Sequence, residues 1–167
     1  MWDGWEAERG CLRRMTAELR GFARAFNKLS VRNWGTREHP GPTLNLIARE
    51  AVCRGIAFEF PEAHCADILA YLIEREGKNF VLQELPIVLE GGVAVIASVP
   101  LYEGRSVISA ASAKEIAAMA LRANGTHGSC AAYIQVVANH LRNLGIDDPA
   151  VLAVSAALAA ASNNLQA

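Results

Sequence analysis

Few side chains in this sequence are grouped as catalytic or metal-binding residues usually are. His39, His64, His127 and His140 lack the H-E-x-x-H spacing that sets two imidazoles on one helix face, and no G-x-S-x-G elbow or Walker loop occurs. Cys11, Cys53, Cys65 and Cys130 form no C-x-x-C pair. No histidine or cysteine is therefore assigned a role. Glu76 has a local feature of interest, because it ends an apolar helical stripe just before Gly77. Outward-facing carbonyls at a helix C-terminus disfavour a further negative charge, which suits a carboxyl group that must take up and return a proton. Arg75 beside it opposes that effect if its guanidinium turns the same way. Tyr133 lies one turn into a helix opening at Gly128-Ser129, where a hydroxyl and unpaired backbone N–H groups suit a carboxylate ligand. On residue type alone, the end of a solvated helix is the better reading of Glu76, and Tyr133 is equally a core aromatic with its hydroxyl at the surface.

The elements that position these groups follow from pattern. Ile68, Leu69, Leu72 and Ile73 form an i, i+1, i+4, i+5 stripe after Pro61, which predicts a helix over Glu62 to Glu76. Ile56, Phe58 and Phe60 alternate with Ala57 and Glu59, which predicts a half-buried strand, and a further strand is expected at Thr43 to Ile47. Phe80 to Leu89 and Val93 to Val99 flank Gly91-Gly92 and predict a hairpin whose second strand is buried on both faces. Leu12 to Phe26 is ambiguous: Leu12, Met15, Leu19, Phe22 and Phe26 recur near helical spacing, yet Phe22, Arg24 and Phe26 alternate like a strand. Asn33 to Gly41 has the composition of a surface loop. Three helices are expected at the end, opened by the Ser112/Glu115 capping box, by Gly128-Ser129 and by Asp148-Pro149. This order argues an α+β fold with a helical C-terminal third.

Composition narrows the function classes. A length of 167 residues, 52% hydrophobic and 20% charged, fits one domain over 1–167. A net charge of -1 without a basic stripe argues against nucleic acid as a partner. The N-terminus has no apolar signal segment, the alanine-rich run from Ala150 to Ala161 is too short to span lipid, and the dispersed cysteines suit a reducing compartment. A cytoplasmic protein with no membrane contact is the expectation. Trp2, Trp5 and Trp34 lack the interleaved basic residues of a base-stacking platform, so packing is their expected role.

Four stretches, in order, carry a resemblance. Gly35-Thr36 with Pro40-Gly41 fits a loop G-[ST]-x-x-x-P-G, and Cys53-Arg54-Gly55-Ile56-Ala57-Phe58 fits a strand C-x-G-[IV]-A-[FY]. Tyr71-Leu72-Ile73-Glu74-Arg75-Glu76 fits Y-L-x-x-R-E, and Gly125 to Ile134 fits G-x-x-G-x-N-x-x-Y-[LI], with Cys130 at the asparagine position. In these motifs, over Gly21 to Leu144, the chain resembles the ChaC-type γ-glutamylcyclotransferases.

The resemblance implies a small mixed, barrel-like sheet flanked by helices, with Gly21 to Asn27 as a strand. It also implies an activity without metal or organic cofactor: cleavage of a small-molecule substrate, glutathione, to 5-oxoproline and Cys-Gly by intramolecular cyclisation. Matching the family's motifs, Glu76 is the general acid/base, and Tyr133 with Gly128 and Ser129 forms the substrate site. Family members begin with a strand ending in Tyr-Gly-Ser-Leu, whose N–H groups hold the substrate and its oxyanion, whereas Met1-Trp2 stands at the point just after it. The expectation is an N-terminally truncated family domain with weak activity or none, since lost oxyanion donors forfeit about 3 kcal/mol or more. The alternatives are the same reaction on another γ-glutamyl amine, and a noncatalytic binding or regulatory module.

Overall fold

Gly21 resolves the ambiguous N-terminal segment. In a computed structural model describing residues 4–164, this segment is a long strand, β1 (Arg13–Ser30), preceded by a single helical turn, α1 (Trp5–Glu8). Gly21 sits within β1 at φ 81°. A left-handed residue inside a strand shifts the side-chain alternation, so buried Leu19 on an odd position is followed by buried Phe26 and Ser30 on even ones. That phase shift imitates helical spacing in the sequence. Met1 and Trp2, at the expected front of the chain, lie outside the described residues.

The loop from residue 31 to 40 leads into a second long strand, β2 (Gly41–Glu59), which joins the two strands expected separately at Thr43 to Ile47 and Ile56 to Phe60. After one 3-10 turn (Glu62–His64) comes α2 (Cys65–Glu76), and then the hairpin of β3 (Phe80–Leu89) and β4 (Ala94–Tyr102). The strands form one sheet in the order β2-β1-β3-β4. β3 and β4 pair over nine positions from Phe80↔Tyr102 to Val88↔Ala94, whereas β1 meets β3 only at Ala17↔Leu89 and Glu18↔Val88. Continuing that register leads to Pro86, which has no N–H for a ladder, and to the kink at Gly21.

Two expectations are corrected here. Among the described residues the sheet is open rather than closed into a barrel, because its end strands β2 and β4 are not neighbours. β4 is not buried on both faces: Val95, Ala97 and Val99 are half-buried, while Ala94, Ile96 and Ser98 are exposed, Ile96 at 65%. Its apolar composition reads as a strand covered on both faces, but the alternation shows that only one face of the hairpin is covered.

Beyond β4 the regular elements among the described residues are helices, apart from a two-residue ladder and the isolated Lys28–Val107 bridge. α3 (Ala113–Arg122) opens with the expected capping box, in which Ser112 Oγ accepts from Glu115 N–H while the Glu115 carboxylate accepts from Ser112 N–H. A small hairpin, β5 (Asn124–Gly125) with β6 (Gly128–Ser129), leads into α4 (Cys130–Asn143), and α5 (Pro149–Asn164) ends the described chain.

Contacts divide the chain into two compact units: Met1–Ala23 with Ala48–Gly104, and Arg24–Ile47 with Arg105–Ala167. In the first, the buried apolar side chains are Leu19, Cys53, Ile68, Ile87 and Leu101. The second holds a denser core of Phe26, Ile116, Ile134, Leu141, Val151, Val154 and Leu158, with Ala117 and Ala120 letting α3 approach its neighbours closely.

Candidate active site

The loop after β1 is closed by its own hydrogen bonds. Trp34 N–H donates to Ser30 Oγ at 3.1 Å, Thr36 N–H to the His39 carbonyl at 3.0 Å, and His39 N–H to Thr36 Oγ1 at 3.1 Å. Its two glycines are steric necessities: a Cβ on Gly35 would run into Gly41 N and the carbonyls of Ser30 and His39, and one on Gly41 into the Trp34 carbonyl. The loop motif therefore encodes a backbone self-contact.

The β5–β6 turn docks on this loop. Thr126 N–H donates to the Arg32 carbonyl and His127 N–H to the Asn33 carbonyl, each at 2.9 Å, and Gly125 leaves no room there for a side chain. Ser129 then caps α4, its Oγ accepting from Ala132 N–H at 3.2 Å. Cys130 is fully buried and donates from Sγ to the Pro42 carbonyl at 3.2 Å, so the thiol supplies a donor where the family motif has asparagine. Burial pushes this thiol up to about 12, keeping it protonated at ordinary pH.

Tyr133 follows one turn into α4. Its hydroxyl oxygen accepts from Leu44 N–H of β2 at 3.2 Å, and its ring stacks on Trp34 at 5.0 Å between centroids and 29° between planes. Trp34 also lies against the His127 imidazole, at 5.7 Å and 50°. Gly128, Ser129 and Tyr133 thus belong to one assembly with the loop and the first residues of β2. The neighbouring helix-start donors have protein partners, since Cys130 N–H reaches the Ala123 carbonyl at 2.9 Å and Ala132 N–H is taken by Ser129. Sequence reasoning gave Trp34 only a packing role and did not find the Leu44 N–H. The adjacency of Trp34 to the loop glycine was the one available signal.

Glu76 belongs to the other unit, where it is the last residue of α2 and half-buried. Gly77, at φ 85°, ends the helix with its N–H on the Ile73 carbonyl at 3.0 Å. The Arg75 guanidinium reaches back one turn, Nη1 donating to Tyr71 Oη at 3.2 Å, and Arg9 covers the Tyr71 ring at 3.5 Å. Among the described residues no ion pair engages Glu76. The first and fifth residues of the Tyr71-to-Glu76 motif thus engage each other, leaving its sixth outside that contact.

A family model described as ChaC-like protein matches residues 4–160, spanning both units and all four motifs. The chain belongs to the ChaC-like family. Its fold is that of two crystal structures of a yeast γ-glutamyl cyclotransferase specific to glutathione. The selenomethionine-labelled form has a TM-score of 0.80 at 19% identity, over 89% of this chain and 88% of that one. The other has a TM-score of 0.77 at 19% identity, over 89% and 90%. In this ChaC-like chain no helix among the described residues is long and apolar enough to cross a membrane.

Proposed function

We propose that this chain cleaves glutathione to 5-oxoproline and Cys-Gly by intramolecular cyclisation, with Glu76 as the proton carrier. The Glu76 carboxylate takes a proton from the α-ammonium of the γ-glutamyl residue. The amine nitrogen then attacks the γ-carbonyl carbon, and the tetrahedral intermediate collapses with cleavage of the C–N amide bond. Glu76 returns its proton to the departing nitrogen, and the ring nitrogen sheds its surplus proton through the same carboxylate to the released amine, which leaves as an ammonium, so no external nucleophile is consumed and the enzyme ends as it began. Tyr133, with the backbone of Gly128 and Ser129, receives the substrate's α-carboxylate at the start of α4.

The observation that carries this reading is Glu76 itself: half-buried, at the end of the family's helix motif, with Arg75 turned to Tyr71. A single family model running across both compact units supports treating 1–167 as one functional domain. Its cysteines are free thiols, which supports a reducing, cytoplasmic setting.

The test is Glu76→Gln, assayed by 5-oxoproline released from glutathione with other γ-glutamyl amines as competing substrates. The expected result is a fall in kcat of about a hundredfold to ten-thousandfold. An unchanged rate removes Glu76 from the chemistry, and a preference for another γ-glutamyl amine replaces glutathione as the substrate.

A further inference from the structure

We infer that Trp34 is a positioning residue for Tyr133, setting where the phenol hydroxyl is presented to the γ-glutamyl substrate; this rests on the proposed role of Tyr133 in binding. A tyrosine on the first turn of a helix reaches outward on two rotatable bonds, and its hydroxyl sweeps a wide arc unless both ring and oxygen are held. Here Leu44 N–H holds the oxygen at 3.2 Å and the Trp34 indole covers the ring at 5.0 Å.

Trp34 is itself fixed from several directions. Its N–H is bound by Ser30 Oγ, its carbonyl packs against Gly41 where a side chain would collide, and its indole lies beside Gly128 and His127. The indole thereby bridges the loop after β1, the β5–β6 turn and α4. A flexible or smaller residue at position 34 removes the stacked indole from the ring and widens the arc open to the phenol. Loop closure, by contrast, depends on Gly35, Thr36, His39 and Gly41, so replacing the indole leaves those contacts in place.

The experiment uses the full chain with Trp34→Ala, Trp34→Leu and Trp34→Phe, each alone and combined with Tyr133→Phe. The chain has three tyrosines, so 3-fluorotyrosine labelling gives three fluorine signals, assigned by removing Tyr71, Tyr102 and Tyr133 in turn. The Tyr133 signal should lose its ring-current displacement and sharpen in the alanine and leucine variants, while phenylalanine retains part of the displacement. In glutathione turnover, Trp34→Ala should raise KM about three- to tenfold and leave kcat within about twofold, with partial rescue by phenylalanine. In the Tyr133→Phe background, Trp34→Ala should have no further effect on KM. A Tyr133 signal that does not sharpen in Trp34→Ala, or independent multiplicative effects in the double variant, overturns the inference. Failure of the wild-type chain to bind or turn over glutathione overturns the proposed function instead, and the fluorine signal still decides whether Trp34 sets the position of Tyr133.

Discussion

The backbone N–H of Leu44 donates to the Tyr133 hydroxyl oxygen over 3.2 Å, joining residues 89 positions apart in the chain. This contact fixes the phenol oxygen against β2, while the thiol of Cys130, one turn earlier on α4, holds the Pro42 carbonyl at 3.2 Å. The start of α4 and the start of β2 are therefore tied twice, by two side chains of the helix.

Replacing Tyr133 by Phe removes the acceptor for Leu44 N–H along with the proposed ligand contact. The expected outcome is a loss of about 1–3 kcal/mol in stability, read from urea unfolding, and a rise in KM of about tenfold or more. A variant equal to wild type in both measurements removes Tyr133 from both roles.

The Cys130 thiol makes stability depend on pH in the alkaline range. Its ordinary value of 9.0 is raised to about 12 by burial, so between those values the folded state keeps a proton that the unfolded state has lost. The contribution is fully present below pH 9.0 and declines as pH rises toward about 12, by up to about 1.4 kcal/mol per pH unit. Urea midpoints should fall more steeply above pH 9.0 in wild type than in Cys130→Ala. In the native protein, iodoacetamide should modify exposed Cys65 and spare buried Cys130.

Gly41→Ala tests the loop closure. The new methyl group would run into the Trp34 carbonyl and approach Cys130 Sγ at 3.1 Å, and backbone cannot yield as a flexible side-chain tip does. A loss of about 3 kcal/mol or more is expected in thermal or urea unfolding. Gly4→Ala is no control for this, because Gly4 has a positive φ. Thr36→Ala, which removes one loop hydrogen bond, should cost about 1 kcal/mol.

Asp148 joins two functions at the start of α5. Oδ1 accepts from Ala150 and Val151 N–H, each at 3.1 Å, and Oδ2 receives Arg24 Nη1 at 3.1 Å, with both side chains largely buried at 9% and 15% exposure. Asp148→Ala should destabilise by about 3–5 kcal/mol, because it removes the cap and leaves the Arg24 charge without this partner. Asp148→Asn keeps a capping oxygen and should cost less. Equal losses in the two variants would assign the whole effect to the ion pair.

Local chemistry made several elements legible. The Ser112/Glu115 box, the Asp148 cap and Gly77 announced helix ends because capping groups act within a few residues of each other. The strand character of β1 was obscured for an equally local reason, the phase shift at Gly21. The exposure of β4 was not legible: an apolar run has the same letters whether one face of the sheet is covered or both.

By itself the sequence determined the helix ends, the loop and turn glycines and the motif positions of Glu76 and Tyr133, since each depends on residues close along the chain. Only the tertiary structure decided that Trp34 covers the Tyr133 ring, that Leu44 holds its oxygen, that Arg75 turns to Tyr71 and that Arg24 meets Asp148. Stacking, ion pairing and hydrogen bonding act over a few ångströms of space, and chain order does not record which distant segments folding brings within that range.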